Sequence, residues 1–242
     1  MSLAWLDPAK IGFPDVESAL TDPNGLLAAG GDLRPEWLIH AYQRGIFPWF
    51  EAGQPILWWT PDPRMVLFPE QLHVSRSLRK LLRKNPLRLT LDTDFAGVIS
   101  ACAGPRNKSE GTWITAELSD AYQRLHRLGI AHSVEVWDGE NLAGGLYGVA
   151  LGRVFFGESM FSHSSNSSKL ALVFLTEHLR QWGYKLIDCQ VASPHLSSLG
   201  AREIPRQEFM GLLSKLINGQ RKPHYWPGVE PKEPETTLKN EL

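Results

Sequence analysis

Phe155-Phe156-Gly157-Glu158-Ser159-Met160-Phe161-Ser162 and, further on, Lys185-Leu186-Ile187-Asp188-Cys189-Gln190-Val191 are the stretches whose reading decides the fold. Both are short, apolar and rich in β-branched or aromatic residues, which predicts strands. Side chains alternate between faces along a strand. Alternation puts Ile187, Cys189 and Val191 on one face and Asp188 with Gln190 on the other. In the first stretch it groups Phe156, Glu158 and Met160. Two carboxylates and an amide therefore stand in otherwise apolar strands, where an ionised side chain needs a partner or a task.

Between these strands, a polar run from Ser162 to Lys169 leads into a helix carrying Leu170, Leu172, Val173, Leu175 and Leu179, closed by Gly183. Upstream, His132 to Trp137 alternates, Asp138-Gly139 turns, Leu142 to Val149 returns and Leu151-Gly152 turns again, which predicts a three-stranded antiparallel meander. Before it come a strand over Leu87 to Leu91, a helix from about Asp94 to Cys102, and a helix capped by Thr115 and stopped by Gly129. A short helix at His195 to Gly200 and a last one over Arg206 to Ile217 follow. The order predicts an α+β fold with helices packed on a mixed sheet, as in acyltransferases of the GNAT (acyl-CoA N-acyltransferase-like) type.

The N-terminal part has another texture. Pro14, Pro23, Asn24-Gly25 and Gly30-Gly31 punctuate it, and one helix is clear, with Pro35 in its first turn, Trp37, Leu38, Ala41 and Tyr42 as its apolar stripe and Gly45 as its stop. Trp49, Trp58 and Trp59 lie beside prolines and admit two readings: a core staple, or a stacking wall for a base. The expected organisation is a small N-terminal α/β domain over 1–64, a GNAT-like catalytic domain over 65–220, and a C-terminal tail over 221–242, partly disordered.

A net charge of −1 over 242 residues says nothing about partners. Cys102 and Cys189 make no disulfide framework and no metal spacing, which fits a reducing cytosol. No signal peptide and no apolar run long enough to span a bilayer is visible. The local charge at residues 73–88 is more telling: six basic residues occur there without one acid. Arg76, Lys80, Arg83 and Lys84 recur on one side of a helix whose other side carries Leu78, Leu81 and Leu82. A purely basic face suits a polyanion, with RNA phosphates the natural candidate, although a solvated face is the commoner fate of a charge run.

The chemistry narrows by elimination. No metal cluster, phosphate-cradling glycine loop or nucleophile elbow is present in the sequence. Direct transfer remains, in which a bound amine attacks a bound activated acyl group. A carboxylate with an amide beside it can take or relay a proton and orient that amine, and Asp188 with Gln190 meets the need. Glu158 is placed to hold a cation on the acceptor. His195 is the one histidine whose role this reading leaves open. An acetyl-CoA enzyme would want a glycine-rich turn where Ser162 to Ser168 stand, so the basic helix and the aromatics favour an RNA-borne acyl group. A CoA-dependent acetyltransferase and a non-enzymatic RNA-binding module are the rival readings.

Several segments, in order, resemble one family closely. They are Pro23-Asn24-Gly25-Leu26-Leu27-Ala28 with Gly30-Gly31-Asp32-Leu33, Tyr42-Gln43-Arg44-Gly45-Ile46-Phe47-Pro48-Trp49-Phe50, Leu57-Trp58-Trp59 with Pro61-Asp62-Pro63-Arg64, Gly111-Thr112-Trp113-Ile114-Thr115, Gly157-Glu158-Ser159-Met160-Phe161-Ser162, Leu186-Ile187-Asp188-Cys189-Gln190 and Ser198-Leu199-Gly200-Ala201. Their set is similar to that of the bacterial leucyl/phenylalanyl-tRNA–protein transferases. The resemblance implies transfer of Leu or Phe, less often Met, from aminoacyl-tRNA to the N-terminal Arg or Lys of proteins, marking them for N-end-rule degradation in the cytoplasm. It implies a monomer that uses no cofactor, metal or membrane. By the same resemblance Asp188 and Gln190 are the catalytic pair, Glu158 the acceptor-site acid with Ser193 at that site's edge, and Trp49, Trp113 and Tyr122 neighbours of the terminal adenosine. Leu146, Met160, Leu175 and Ile187 would line the pocket for the transferred side chain.

Overall fold

The computed structural model describes residues 3–84, 87–104, 114–217 and Trp226. Trp113, the polar loop with Arg106, Lys108 and Glu110, and the expected tail apart from Trp226 lie outside the described residues.

Two sheets organise the chain. The smaller has four strands in the order β1-β2-β4-β3: β1 (Ala4–Leu6), β2 (Leu26–Gly30), β3 (Phe47–Pro48) and β4 (Leu57–Trp59). Helix α1 (Pro35–Gln43) belongs to the same part of the chain and buries Trp37, Leu38, Ala41 and Tyr42, the expected stripe. The sequence reads here as loops because two to five residues carry too few alternations to register as strands. Pro48 is tolerated because β3 is an edge strand. Trp58 is fully buried against Phe13 and Trp37, with its Nε1 donating to the Gly30 carbonyl at 2.8 Å. It is a core staple and not a stacking wall.

The larger sheet has seven strands: β5 (Arg64–Leu67), β6 (Arg88–Leu91), β7 (Ala131–Asp138), β8 (Asn141–Leu151), β9 (Val154–Ser162), β10 (Leu186–Gln190) and β11 (Arg202–Ile204), ordered β11-β5-β10-β9-β8-β7-β6. Its helices are α2 (Arg76–Lys84), α3 (Phe95–Cys102), α4 (Ala116–Arg127), α5 (Ser167–Gln181), α6 (Pro194–Ser197) and α7 (Arg206–Ile217). The β7-β8-β9 meander is antiparallel, as expected. The α5 crossover makes β9 and β10 parallel, so the sheet is mixed. Strands β5 and β11 were not foreseen. All four residues of β5 are buried, so it lacks the polar alternation that marks a strand.

Neighbouring residues divide between two cores. Phe156, Tyr147, Leu186 and Val66 join Tyr122 and Phe209 on one face, in a cluster that continues into the small sheet through Tyr42, Trp37 and Trp58. Phe155, Leu146, Ile187 and Leu67 face the other way, with Leu175 and Leu179 of α5. Arg206 clamps the small sheet's loops to α7, donating from Nη1 to the Thr60 carbonyl at 2.9 Å and from Nη2 to Glu17 at 3.1 Å.

Two bulges break this order. Gly148 faces Gly157 and Tyr147 faces Ser159, so Glu158 is the extra residue of β9. Asp188 faces Val66 and Gln190 faces Met65, so Cys189 is the extra residue of β10. A bulge re-aims the side chains around it. Phe156, Glu158 and Met160 therefore do not share a face as strict alternation predicted: Phe156 lies in the first core and Met160 packs on the second. The parallel pairing of β9 with β10 reaches Phe156 and Asp188, its last registered pair.

Replacing Trp58 with Ala removes a buried indole and its hydrogen bond. Stability should fall by about 3–5 kcal/mol in urea unfolding, and a loss below about 1 kcal/mol would contradict the packing described.

Candidate active site

Beyond Phe156 and Asp188 a cavity of about 500 Å³ opens. One side is apolar: Leu146, Phe155, Met160, Leu172, Leu175, Ile187 and Cys189. The polar lining is Glu158, Ser159, Gln190, Ser193 and His195, and Phe47 and Pro48 of β3 with Trp49 also line the cavity. Burial pushes the Cys189 thiol far above its usual range, so it is an apolar wall and no nucleophile. Leu146, Met160, Leu175 and Ile187 are thus brought together in one wall, with Ser193 at the N-cap of α6.

Asp188 is elsewhere. It is fully buried and does not line the cavity. Its two carboxylate oxygens accept from Arg64 Nε at 2.8 Å and Nη2 at 2.7 Å, in a bidentate pair with no solvent contact. The Arg64 guanidinium lies 4.8 Å from the Phe47 ring centroid and 4.7 Å from that of Phe209. The expectation that Asp188 and Gln190 project together into the cleft is corrected here. The bulge at Cys189 breaks the alternation between them: Gln190 lines the cavity, whereas Asp188 is occupied by the guanidinium and does not. An amine in the cavity meets Gln190 first.

Asp188 still reaches the cavity indirectly. Its Oδ1 also accepts the Gln190 backbone N–H at 3.0 Å, and Gln190 adopts a left-handed φ of 57°. Left-handed backbone is costly for a residue with a side chain and persists where neighbours enforce it. Here the enforcing group is a carboxylate that Arg64 immobilises. The turn sends Gln190 Nε2 to Glu158 Oε1, 3.1 Å away. Tyr122 donates to Glu158 Oε2 at 2.7 Å, and the Tyr42 hydroxyl lies 2.6 Å from that of Tyr122.

Desolvation is the main influence on Glu158 and raises its pKa to about 7, against the pull of the Tyr122 and Tyr42 hydroxyls. Asp188 pushes the same way as burial, and Arg64 opposes it. The acid is therefore poised to gain or lose its proton near neutrality.

The aromatic expectations divide. Trp49 is 42% exposed at the cavity mouth. Trp59 supports it, donating from Nε1 to the Trp49 carbonyl at 2.6 Å, with ring centroids 5.6 Å apart. Tyr122, expected near the adenosine, is fully buried, does not line the cavity, and donates its hydroxyl to Glu158. Arg76, Lys80 and Arg83 are exposed on α2, away from the cavity, and nothing is described of the Lys84 side chain. Sequence reading missed Arg64 and Tyr42. A charge beginning an apolar run and a hydroxyl on an apolar stripe were the available signals.

An apolar pocket beside an amide and a titratable acid suits a group-transfer enzyme acting between an apolar acyl group and an amine. The comparisons agree. The family model for leucyl/phenylalanyl-tRNA protein transferase matches residues 66–214, and that for the leucyl/phenylalanyl-tRNA protein transferase N-terminal domain matches 31–62. The leucyl/phenylalanyl-tRNA–protein transferase of Stutzerimonas stutzeri (strain A1501) is 59% identical over 212 residues, 88% of this chain and 94% of that one. That of Cellvibrio japonicus (strain Ueda107) is 57% identical over 230 residues, 95% of this chain and 98% of its own. That of Azotobacter vinelandii (strain DJ / ATCC BAA-1303) is 61% identical over 211 residues, 87% and 93% of the two chains. A solved GCN5-related N-acetyltransferase from Kribbella flavida is similar only at a TM-score of 0.36 and 12% identity, covering 70% of this chain and 60% of that one, too remote to bear on the site. The chain belongs to the leucyl/phenylalanyl-tRNA protein transferase family and is an aminoacyltransferase.

A carboxyl whose folded pKa of about 7 exceeds its ordinary 4.5 binds its proton more tightly in the folded state. Its contribution to stability is present below about 4.5 and is lost as pH rises through 7. Glu158→Gln should flatten that decline and raise stability at pH 8, on the order of 1–2 kcal/mol after allowance for screening by cavity water. Unfolding measured across pH checks this, and parallel profiles for the two proteins would contradict it.

Proposed function

We propose that the enzyme transfers a leucyl or phenylalanyl group, and methionyl less readily, from aminoacyl-tRNA to the α-amine of a protein that begins with Arg or Lys. The observation that carries this is the junction of a largely apolar pocket with the Glu158–Gln190 pair. An unbranched or γ-branched side chain suits the wall of Leu146, Met160, Leu175 and Ile187 better than a β-branched one. Trp49 at the mouth offers a ring on which the terminal adenine stacks, and the family resemblance adds Trp113. Exposed Arg76, Lys80 and Arg83, continued by Lys84, hold tRNA phosphates.

The reaction needs no external energy, because the ester to the tRNA is already activated. The neutral α-amine attacks the ester carbonyl; a C–N bond forms, the ester C–O bond breaks, the amine loses a proton and the ribose oxygen gains one. Gln190 gives its Nε2 to Glu158, which leaves Oε1 to accept an N–H of the attacking amine and aim its lone pair. A free α-amine has a pKa of about 8, so a useful fraction is neutral without a strong base. Ionised Glu158 faces the cationic side chain of the acceptor's first residue, with Ser193 at the edge of that subsite. Asp188 remains part of the catalytic pair as the group that positions Gln190. We also take the chain to work as a monomer in the cytoplasm, divided near Arg64 into an N-terminal and a catalytic part, with its products marked for N-end-rule degradation.

Transfer of labelled Leu, Phe and Met from tRNA to peptides beginning with Arg, Lys or a neutral residue tests the reading. Gln190→Ala should lower kcat/KM by about two orders of magnitude with tRNA affinity little changed. Charge reversal at Arg76, Lys80 and Arg83 should instead weaken tRNA binding and flatten its dependence on salt. Equal transfer to neutral and basic N-termini, or full activity in Gln190→Ala, would overturn it.

A further inference from the structure

Behind Glu158 stand three fully buried tyrosines from three elements: Tyr42 of α1, Tyr122 of α4 and Tyr147 of β8. Tyr122 and Tyr147 meet edge to face at 5.4 Å. Neither Tyr42 nor Tyr122 lines the cavity. Each phenol has one proton. The Tyr122 proton goes to Glu158 Oε2, 2.7 Å away, so the proton shared between the two hydroxyls at 2.6 Å is that of Tyr42. With Glu158 ionised, both phenols therefore act on its carboxylate, Tyr122 directly and Tyr42 both through Tyr122 and on Glu158 itself. Burial holds both phenols well above their usual range, so they stay protonated donors wherever Glu158 ionises. Donors in series polarise one another, and their effect concentrates on the anion at the end.

We propose that Tyr42 and Tyr122 are positioning residues that fix the aim and the charge of the Glu158 carboxylate, so that the helix beside the small sheet helps set the requirement for a cationic acceptor. This rests on reading Glu158 as the acceptor subsite. It assigns Tyr42 a functional role and gives Tyr122 one other than facing the adenosine. It also gives the N-terminal part of the chain a chemical share in the active site. Glu158 is faced by Tyr42 of α1, Tyr122 of α4, Gln190 and Asp188 of β10, and Arg64 of β5, while Tyr147 of β8 acts on the two phenols. Tyr42→Phe and Tyr122→Phe each withdraw one hydroxyl that acts on Glu158 and leave the ring in place. Withdrawing either leaves the anion with a weaker donor, so Glu158 keeps its proton to higher pH and meets a cationic N-terminus less often in its charged form.

The experiment is transfer of Leu from tRNA to an Arg-peptide, measured from about pH 6 to about pH 9 for wild type, Tyr42→Phe and Tyr122→Phe. At neutral pH the peptide KM should rise about ten-fold in Tyr122→Phe and less in Tyr42→Phe, with kcat and the KM for aminoacyl-tRNA little changed. The rising limb of the pH profile should move to higher pH in both. The same substitutions in a Glu158→Gln background should shift neither quantity further. Unmoved profiles, or equal effects of Tyr42→Phe with and without Glu158, would overturn the proposal by reducing the tyrosines to packing. Wild type that ignores the charge of the acceptor's first residue would instead sink the acceptor-site reading itself.

Discussion

The buried pairing of Arg64 with Asp188 is the constraint on which the site depends. Two opposite charges are held out of water, hydrogen-bonded at 2.7 and 2.8 Å, with the guanidinium against the rings of Phe47 and Phe209. Such a pair is weak evidence for net stability, because desolvation offsets much of the attraction. Its strength lies in geometry. A bidentate guanidinium leaves a carboxylate one orientation. From that orientation Asp188 holds the Gln190 N–H, which sustains a left-handed turn, which in turn delivers an amide across the opening between β9 and β10 to Glu158. Groups from β5, β10 and β9 thus become one rigid constellation before any substrate arrives. Preorganisation of this kind is what direct transfer requires, since the protein contributes position more than chemistry.

The two faces of the large sheet divide the labour. The α5 side supplies apolar walls, Leu172, Leu175, Ile187 and Cys189, which suit the apolar side chain proposed above. The polar groups proposed to steer the amine form one hydrogen-bonded set, from Arg64 through Asp188 and Gln190 to Glu158 and Tyr122. The two bulges let the faces meet in one cavity. Glu158 and Cys189 are the extra residues of their strands, and each locally releases the strict alternation that would keep acid and pocket apart. The basic face of α2, proposed to hold the tRNA body, does not line this cavity, which would separate holding the substrate from reacting it.

Much of this was legible in the sequence. The meander, the crossover helix and its two flanking strands show regular periodicity over enough residues to be read, and α7 lies where expected, Arg206–Ile217. The pocket residues follow from a resemblance spread over nearly the whole chain. What escaped was local or long-range. Strands of two to five residues in the small sheet carry too little pattern. Buried β5 hides its identity because it has no polar face. Alternation placed Asp188 and Gln190 on one side but could not see Arg64, 124 positions away in sequence, filling the space before the acid. Nor could it see that Tyr122, read as a neighbour of the adenosine, turns its hydroxyl inward to Glu158.

The central claim is that Asp188 stays on Arg64 throughout while Gln190 and Glu158 receive the acceptor. A crystal structure with a non-hydrolysable amide analogue of leucyl-adenosine and an Arg-peptide tests it most directly. The account predicts the peptide α-amine within hydrogen-bonding distance of Gln190 Oε1, the arginine side chain on Glu158, and the Asp188 carboxylate still bidentate on the guanidinium. Asp188 swung off Arg64 and bonded to the α-amine would contradict it.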